Sequence, residues 1–466
     1  MQDPVKSLTA DNIRKLIKDR NDRELCFLLL ADVIGNGAFS NLAIKRADKE
    51  AQAQGVSLNF VRAMFYGTLT YLYSIDQMVR MITRKDMEDL DLVTSVLIRM
   101  SFWQMAFADP GIPSYAILSS AVDIAKRYNP KASGLVNALL RKIDSADKAL
   151  LDMDRYNPNI KTSMKPELFG ILKKSYGQEK AVSIGKALLA PSPVTLRFDP
   201  HKISGEDLLE DLAGSGITAT SGNFMPCAVT IKGSLSGIEN LRAYKEGWIS
   251  VQNEAAQLAS FVADPKPQDR ILDCCSAPGG KSCHMAEIAR DMCHIDSLDI
   301  NGSRLELVRM NAARLGLSSV HTAVCDARDM SSIEDSSYDI VLLDVPCSGL
   351  GLMGRKPDIR MNMTYEKVLD IVKVQREILE QACSKVKPGG ALIYCTCTLD
   401  SMENEEQVKA FLEEHKEFIA VPIDRYIPEE LNVNPERIES FGLGYVTLFP
   451  DTDKVDGFFI SRMERK

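Results

Sequence analysis

Two cysteines are candidates for catalysis, because each follows a short apolar run typical of a β-strand. Cys347 comes shortly after the run at residues 340–343, and Cys397 comes directly after the run at 391–395. In an open parallel sheet the carboxyl ends of the strands border the crevice in which ligands bind. A thiolate is a strong nucleophile, and two thiols facing one crevice suit covalent catalysis. We therefore predict that Cys347 and Cys397 are catalytic.

The other cysteines of this half of the chain are interpreted as small buried hydrophobes, the commonest role of a single cysteine. They are Cys274, Cys275, Cys283, Cys293, Cys325, Cys383 and Cys395. The chain has 11 cysteines and 5 histidines. Because no CxxC pair occurs, we expect neither a structural zinc site nor any other metal.

The sequence ILDCCSAPGGK at residues 271–281 predicts a strand, a tight turn and the start of a helix. Its two adjacent glycines permit backbone conformations that side chains forbid, and the N–H groups of a helix N-terminus suit an anionic or carboxylate-bearing ligand. The pattern differs from GxGxxG and from a P-loop, because the glycines are adjacent and follow a proline. An ordinary strand-to-helix turn is the alternative interpretation.

Three aspartates follow successive predicted strands of the same region. They are Asp299, Asp326 and Asp344, and in a doubly wound sheet all three converge on the crevice above the glycine-rich turn. The first is placed to accept the ribose hydroxyls of a nucleoside, and the second to accept from an adenine amino group. Any one of them could be an ordinary solvated loop residue, but that interpretation poorly explains an aspartate at the end of each of three successive strands.

A basic group, Arg355, Lys356 and Arg360, follows Cys347 closely. We predict that these side chains hold phosphates near the site, and a solvated basic loop is the alternative interpretation.

The pattern of apolar residues divides the chain into three parts. Helical spacing from residue 12 to about 145 predicts an all-α bundle of five to seven helices. A polar stretch with prolines then leads into a small α+β region, and from about residue 246 strands and helices alternate, which predicts a mostly parallel, doubly wound sheet with an antiparallel edge. The expected domains are residues 1–145, 146–245 and 246–466. The strands predicted in the last of them are 271–275, 294–298, 320–325, 340–343, 391–395, 445–449 and 458–462.

Composition places the chain among ordinary globular proteins of two to four domains. It has 466 residues, of which 45% are hydrophobic and 26% charged. No apolar run is long enough to span a membrane and the N-terminus lacks the apolar core of a signal peptide, so we expect a cytoplasmic protein. The net charge is −8, yet residues 1–150 carry 20 Lys and Arg against 17 Asp and Glu. Global charge therefore neither supports nor excludes an RNA partner.

Several motifs together resemble the RNA cytosine-C5 methyltransferases of the Sun family. The segments that carry the resemblance are GWISVQNEAAQ, ILDCCSAPGGKS, DVPCSGLGLMGRKPDIR and YCTCT followed by ENEEQ. Upstream, RELCFLLLADVIGNGAFSN, NFVRAMFYGTLTYL, IPSYAILSSAVDIAKRY and GLVNALLRK are similar to the NusB-like helical domain. Departures from the family pattern are Asn253 where aspartate is commoner, Val345 for alanine and Thr398 for serine. FPDTDKVDGFF also lacks histidines that some relatives carry.

The resemblance implies an enzyme with a Rossmann-like catalytic domain that uses S-adenosylmethionine. The residues implied for the cofactor are Cys275, Ser276, Ala277, Pro278, Gly279, Gly280 and Lys281 at its methionine end, Asp299 at the ribose, Asp326 at the adenine, and Arg304 and Asp344 beside them. Cys397 matches the family's nucleophile, Cys347 the cysteine that helps to release the product, and Asp344 a group between cofactor and target base.

The fusion to a NusB-like domain implies a bacterial enzyme that methylates a loop cytosine of 16S rRNA, with residues 1–145 binding RNA and 146–245 connecting or also binding RNA. We expect a monomer that binds neither a membrane nor a metal. The alternatives are a tRNA cytosine-C5 methyltransferase and a non-catalytic RNA-binding or ribosome-assembly protein. Retention of both cysteines, the turn and the three aspartates argues against the non-catalytic reading.

Overall fold

A computed structural model of the chain describes residues 3–4, 6–108, 111–233, 237–431 and 435–466. The chain forms two compact units: Met1–Ala190 with Met353–Thr364, and Pro191–Leu352 with Tyr365–Lys466. The domain boundaries expected from the sequence stay a prediction.

The α-helices, in chain order, are α1 (Ala10–Lys18), α2 (Asp22–Asn36), α3 (Ser40–Ala53), α4 (Asn59–Thr70), α5 (Leu72–Thr83), α6 (Leu92–Ala106), α7 (Ser114–Tyr128), α8 (Ser133–Asp144), α9 (Pro158–Thr162), α10 (Pro166–Tyr176), α11 (Gln178–Ala187), α12 (Gly205–Gly214), α13 (Arg242–Lys245), α14 (Glu254–Ala263), α15 (Gly280–Ile288), α16 (Gly302–Leu315), α17 (Ile359–Asn362), α18 (Tyr365–Cys383), α19 (Glu405–Glu414) and α20 (Pro435–Gly442). The strands are β1 (Val194–Phe198), β2 (Ala219–Ser221), β3 (Ala228–Ile231), β4 (Ile249–Val251), β5 (Arg270–Asp273), β6 (His294–Asp299), β7 (Val320–Val324), β8 (Tyr338–Asp344), β9 (Val386–Thr396), β10 (Phe418–Ala420), β11 (Tyr445–Leu448) and β12 (Phe458–Arg465).

The first unit is an all-helical bundle built around α2 and α6. Both helices are apolar on nearly every face, and a helix of that kind is stable only when other helices surround it. Residues 25–30 of α2 are accordingly all fully buried. The side chain of Asn21 caps the start of α2, and Gly37 ends it in the left-handed conformation. The all-α bundle predicted from the sequence is confirmed, but the described part of residues 10–144 contains eight α-helices rather than the five to seven expected.

The short segment Met353–Thr364, which follows the Cys347 motif in the chain, folds within the helical unit. Arg360 is 4% exposed there, and its guanidinium donates to the carbonyls of Thr162 and Leu188 at 2.8 Å and of Ser163 at 3.0 Å. This corrects our expectation for Arg360, because a side chain used in this way is closed off from phosphates. Lys356 is exposed and Arg355 is half-buried, and their role as phosphate contacts stays a prediction.

The second unit contains two sheets. The smaller is antiparallel with the order β2-β3-β1-β4, and α12 and α13 accompany it. Within the described residues the larger has eight strands, in the order β10-β12-β9-β8-β5-β6-β7, with β11 paired to β12. Strands β5 to β9 pair in parallel, whereas β12 runs antiparallel between β9 and β10. The mostly parallel sheet with an antiparallel edge is thus confirmed, and no helix of the described ranges is long and apolar enough to cross a membrane.

Candidate active site

The glycine-rich turn connects β5 to α15 and positions its residues by main-chain contacts. It contains the predicted residues Cys275, Ser276, Ala277, Pro278, Gly279, Gly280 and Lys281, with a cis peptide bond before the proline. The N–H of Ser276 donates to the carbonyl of Leu298 at the end of β6. Gly279 has φ +98°, and a Cβ there would lie 3.0 Å from Val308 Cγ1. Only glycine suits this position, which keeps the backbone bare at the N-terminus of α15.

Asp299 ends β6 and is joined to the turn through Arg304. One carboxylate oxygen accepts from the N–H of Asn301 at 2.8 Å, and the other lies 3.2 Å from the Arg304 guanidinium. Arg304 also donates to the carbonyl of Ala277 at 2.7 Å. These contacts bring together three of the predicted cofactor residues.

Asp326, after β7, is held by the guanidinium of Arg328 at 2.7 Å, and this hydrogen bond lowers the pKa of Asp326. Ile300, next to Asp299, is 62% exposed, and Val324, two residues before Asp326, is 64% exposed, each at the carboxyl end of a strand. Two bare apolar side chains beside two carboxylates suit a flat ring whose edge carries polar groups. Sequence reasoning missed both, because a single apolar residue at a strand end carries no signal of its own.

Asp273, the last residue of β5, is a second residue that the sequence analysis missed. Its side chain is buried, and Oδ2 accepts from the Ser282 hydroxyl at 2.6 Å. Oδ1 has no hydrogen-bond partner among the described residues. Burial raises the pKa of Asp273 to about 7. A buried carboxyl that holds its proton at mildly acid pH therefore lies at the end of β5, just before the glycine-rich turn.

Asp344, at the end of β8, pairs with Lys281 of the turn. Lys281 Nζ lies 2.5 Å from Asp344 Oδ2, and the lysine is 8% exposed. Burial opposes the charge of Lys281, but the Asp344 carboxylate outweighs it and raises the pKa of the lysine. Lys281, predicted to contact the cofactor, is thus directed towards Asp344. The Cys395 thiol also approaches the other Asp344 oxygen, at 3.9 Å.

The two predicted catalytic cysteines lie in contact. Their Sγ atoms are 3.1 Å apart, both side chains are partly buried, and both thiols are free. The hydrogen bond with Cys397, followed by burial and the charge of Cys397, raises the pKa of Cys347 well above its usual range. The raised pKa keeps the Cys347 thiol protonated, and either sulfur can be the donor in this contact.

A buried polar network fixes the loops that carry the two cysteines. At its centre the Glu403 carboxylate accepts from the N–H of Ser348 and from the Gln375 amide, both at 2.9 Å, and also from the Ser348 hydroxyl. The hydroxyls of Ser348 and Thr398 lie 2.7 Å apart, and the Gln375 amide also donates to the carbonyl of Pro346 at 3.0 Å. Thr398, which replaces the serine commoner in the Sun family, therefore keeps a hydroxyl where the network uses one.

Two glycines bring a third segment against the Cys397 loop. A Cβ on Gly351 would lie 2.2 Å from the carbonyl oxygen of Gly457. A side chain at position 351 would therefore prevent the two backbones from coming this close. Gly457 donates to the carbonyl of Gly351 at 3.0 Å, and Gly351 donates to that of Cys397 at 3.2 Å. The residue just before β12 thus supports the backbone of the Cys397 loop through Gly351.

No group of histidine, cysteine, aspartate and glutamate side chains in the described ranges has the arrangement of a metal site. The site therefore consists of a thiol pair, a lysine–aspartate pair and a bare helix N-terminus flanked by carboxylates and apolar side chains. Such a set can add a sulfur to an electrophilic carbon next to a bound nucleoside-type ligand.

Three family models match the chain. The model described as 16S rRNA methyltransferase RsmB/F matches residues 260–464, the NusB family model matches 20–145, and a ferredoxin-like domain of RsmF/B-like methyltransferases matches 168–236.

Curated relatives and a solved structure are similar over most of the chain. The "Probable ribosomal RNA small subunit methyltransferase B" of Bacillus subtilis is 32% identical over 97% of this chain and 100% of its own length. Ribosomal RNA small subunit methyltransferase B of Pseudomonas putida is 32% identical over 74% and 79%. The crystal structure of PH0851 has a TM-score of 0.79 at 27% identity, covering 95% of this chain and 98% of that one.

Proposed function

Since this chain belongs to the 16S rRNA methyltransferase RsmB/F family, we propose that it methylates carbon 5 of a cytosine in 16S rRNA, using S-adenosylmethionine and a covalent bond from Cys397 to carbon 6. The observation that carries the proposal is the contact of the Cys347 and Cys397 sulfurs at 3.1 Å. Two free thiols touching beside a nucleoside-type site have no evident structural purpose, whereas a reaction that adds a sulfur and later expels it uses both.

The residues around the turn fit S-adenosylmethionine. The bare backbone at Gly279 and the N-terminus of α15 suit its methionine carboxylate, and Asp299 suits its ribose hydroxyls. Ile300 and Val324 offer apolar contact to the adenine, with Asp326 at its edge. When bound, the sulfonium of the cofactor supplies the methyl group.

Cys397 makes carbon 5 of the cytosine reactive. That carbon is a poor nucleophile, because reaction there interrupts the conjugation of the ring. Addition of the Cys397 thiolate to carbon 6 converts the ring to an enamine, whose carbon 5 can bond to the methyl carbon. Either sulfur can donate in the Cys347–Cys397 contact, and donation from the Cys347 S–H would stabilise the Cys397 thiolate before the attack.

Cys347 is suited to the last step of the reaction, the release of the methylated base. After methyl transfer, carbon 5 must lose its proton so that the electron pair of that C–H bond can expel the Cys397 sulfur from carbon 6. The hydrogen bond with Cys397 and the charge of Cys397 are among the causes that raise the pKa of Cys347. Once the Cys397 sulfur is bonded to carbon 6, both influences weaken. Cys347 is then free to release its own proton and to act as the base, directly or through a water.

Asp344 and Lys281 are the candidate groups for N3 of the ring. Negative charge develops there during sulfur addition, and a hydrogen bond from this pair would offset it. Lys281 is the proton-bearing partner, because its pKa is raised by Asp344. The base has to leave its stack to reach this crevice, so we propose a single-stranded or loop cytosine, with Arg355 and Lys356 as phosphate contacts.

Substitution of each cysteine tests the proposal. Cys397→Ala should abolish both methylation and any covalent RNA complex. Cys347→Ala should form the bond and transfer the methyl, yet accumulate a protein–RNA adduct visible as a shifted band on a denaturing gel. The double variant should show no adduct, and Cys293→Ala, which removes a thiol outside the site, should behave as the unsubstituted protein. An adduct from Cys397→Ala but not from Cys347→Ala would reverse the two roles, and normal methylation by both would eliminate the thiol mechanism.

A further inference from the structure

Arg197 lies in β1, in the small sheet, and is the largest side chain of the described residues that is fully buried, at 1% exposure. An arginine is almost never buried so completely unless its charge is paired and its donors are used. Its contacts therefore indicate what the small sheet contributes to the unit.

The guanidinium of Arg197 spans two turns of α15. One nitrogen donates to the carbonyl of Gly280 at 3.0 Å and to the side-chain oxygen of Gln252. Another lies 2.9 Å from a carboxylate oxygen of Glu287. Gly280 is the first residue of α15 and Glu287 lies seven residues later, so both are on one face of the helix.

We propose that Arg197 is a positioning residue for the cofactor: the small sheet, through this one side chain, fixes the backbone of the glycine-rich turn. This inference rests on the proposed function, since it concerns the binding of S-adenosylmethionine. The turn carries two consecutive glycines, and glycine backbone is the most costly to order. A charge-assisted hydrogen bond to Gly280 fixes that backbone before the ligand arrives, so the ordering cost is not taken from the binding energy.

A second arginine, Arg314, provides a comparison, because it attaches the small sheet without contacting the glycine-rich turn. Arg314 of α16 donates to the carbonyls of Tyr244 at 3.0 Å and Ile249 at 2.9 Å, and its guanidinium stacks over the Tyr244 ring. It thus also joins the small sheet to a helix of the larger sheet, but none of these contacts reaches the glycine-rich turn. Loss of Arg314 should weaken docking alone.

Calorimetry with S-adenosylmethionine tests the proposal on the full-length protein. The double variant Arg197→Met with Glu287→Gln removes the ion pair and leaves no unpaired buried carboxylate. Arg197→Lys retains the cation. Glu287→Gln alone and Arg314→Met are the controls. We expect the double variant to raise the Kd about tenfold, the usual effect of losing one charge-assisted hydrogen bond. Arg197→Lys should lie between it and the unsubstituted protein, because one ammonium replaces a fork of donors. Glu287→Gln and Arg314→Met should bind normally, although both should melt at lower temperature.

Steady-state kinetics provide a second readout that a purely structural role would not produce. In Arg197→Lys the KM for S-adenosylmethionine should rise while kcat at saturating cofactor stays unchanged, since Arg197 touches no reacting group. Equal Kd values for the double variant and Glu287→Gln would overturn the proposal, as would an equal rise in Arg314→Met. If the unsubstituted protein itself fails to bind S-adenosylmethionine, the proposed function fails instead.

Discussion

At the scale of single residues, Asp273, which ends β5 just before the glycine-rich turn, has an unusually high pKa for an aspartate. It is fully buried, burial raises its pKa to about 7, and Asp344 adds to the increase while Ser282 and Lys281 oppose it. An unfolded chain releases this proton near pH 4, about 3 pH units lower. The folded protein therefore binds the extra proton between these values, and the free energy of unfolding falls as the pH rises from about 4 to about 7.

Asp273→Asn should remove this dependence. The quantity to compare is the free energy of unfolding of the variant minus that of the unsubstituted protein. This difference should be larger at about pH 8 than at about pH 5, by up to a few kcal/mol. Urea denaturation at the two pH values measures the difference. Asp335→Asn is the control, because a hydrogen bond from Lys385 lowers the pKa of Asp335 and keeps it ionised throughout this range. A difference that is the same at both pH values would show that Asp273 does not titrate as inferred.

The residues predicted correctly as neighbours are those whose position at a strand end can be recognised from a short stretch of sequence. Cys347 and Cys397 follow the neighbouring strands β8 and β9, and Asp299 ends β6, so the topology alone brings them to one edge of the sheet. The partner of Lys281 could not be predicted, because Asp344 lies 63 residues away and both had been assigned to the cofactor. Asn253 shows the same limit: its amide donates to Asp456 at 2.9 Å, a contact that aspartate could not make.

At the scale of elements, strand bounds were predicted where the apolar runs were clean and missed where turn residues interrupted them. Strand β9 starts at Val386 although Pro388, Gly389 and Gly390 indicate a turn, so the prediction placed its start at residue 391. Strand β10 was missed, because three residues give no periodicity. The network around Glu403 was beyond prediction for another reason: it joins Ser348 across 55 residues through a single carboxylate.

Loss of Glu403 should disturb the ends of β8 and β9 together. Glu403→Ala leaves the Ser348 N–H and the Gln375 amide without their buried acceptor, at a cost of about 1–3 kcal/mol for each. We expect a lower free energy of unfolding and, because both cysteine loops shift, a kcat at least about tenfold lower. Glu406→Ala, which removes an exposed carboxylate three residues on, is the matched control for both measurements. If kcat is unchanged at a temperature where Glu403→Ala is folded, the network does not position the thiols.

At the scale of the whole molecule, an acidic chain has to bind RNA. The net charge is −8, so long-range attraction cannot supply the affinity, and phosphate contacts have to come from local groups. We propose that the segment Met353–Thr364 is one such place, since it follows the Cys347 motif in the chain and carries Lys356 on its surface. Its buried Arg360 binds carbonyls of the helical unit, which divides the basic residues of one short segment between two tasks.

That division can be measured through the salt dependence of RNA binding. Each phosphate contact releases counterions, so Lys356→Ala should reduce the slope of log K against log salt concentration by about 1. Arg360→Met should leave the slope unchanged and instead lower the melting temperature, because three carbonyls lose a buried donor. Filter binding of a 16S rRNA fragment between about 50 and 200 mM salt, well below the melting temperature of each variant, gives the slopes. A smaller slope with unchanged stability in Arg360→Met would mean that its guanidinium leaves the carbonyls of the helical unit and meets a phosphate when RNA binds.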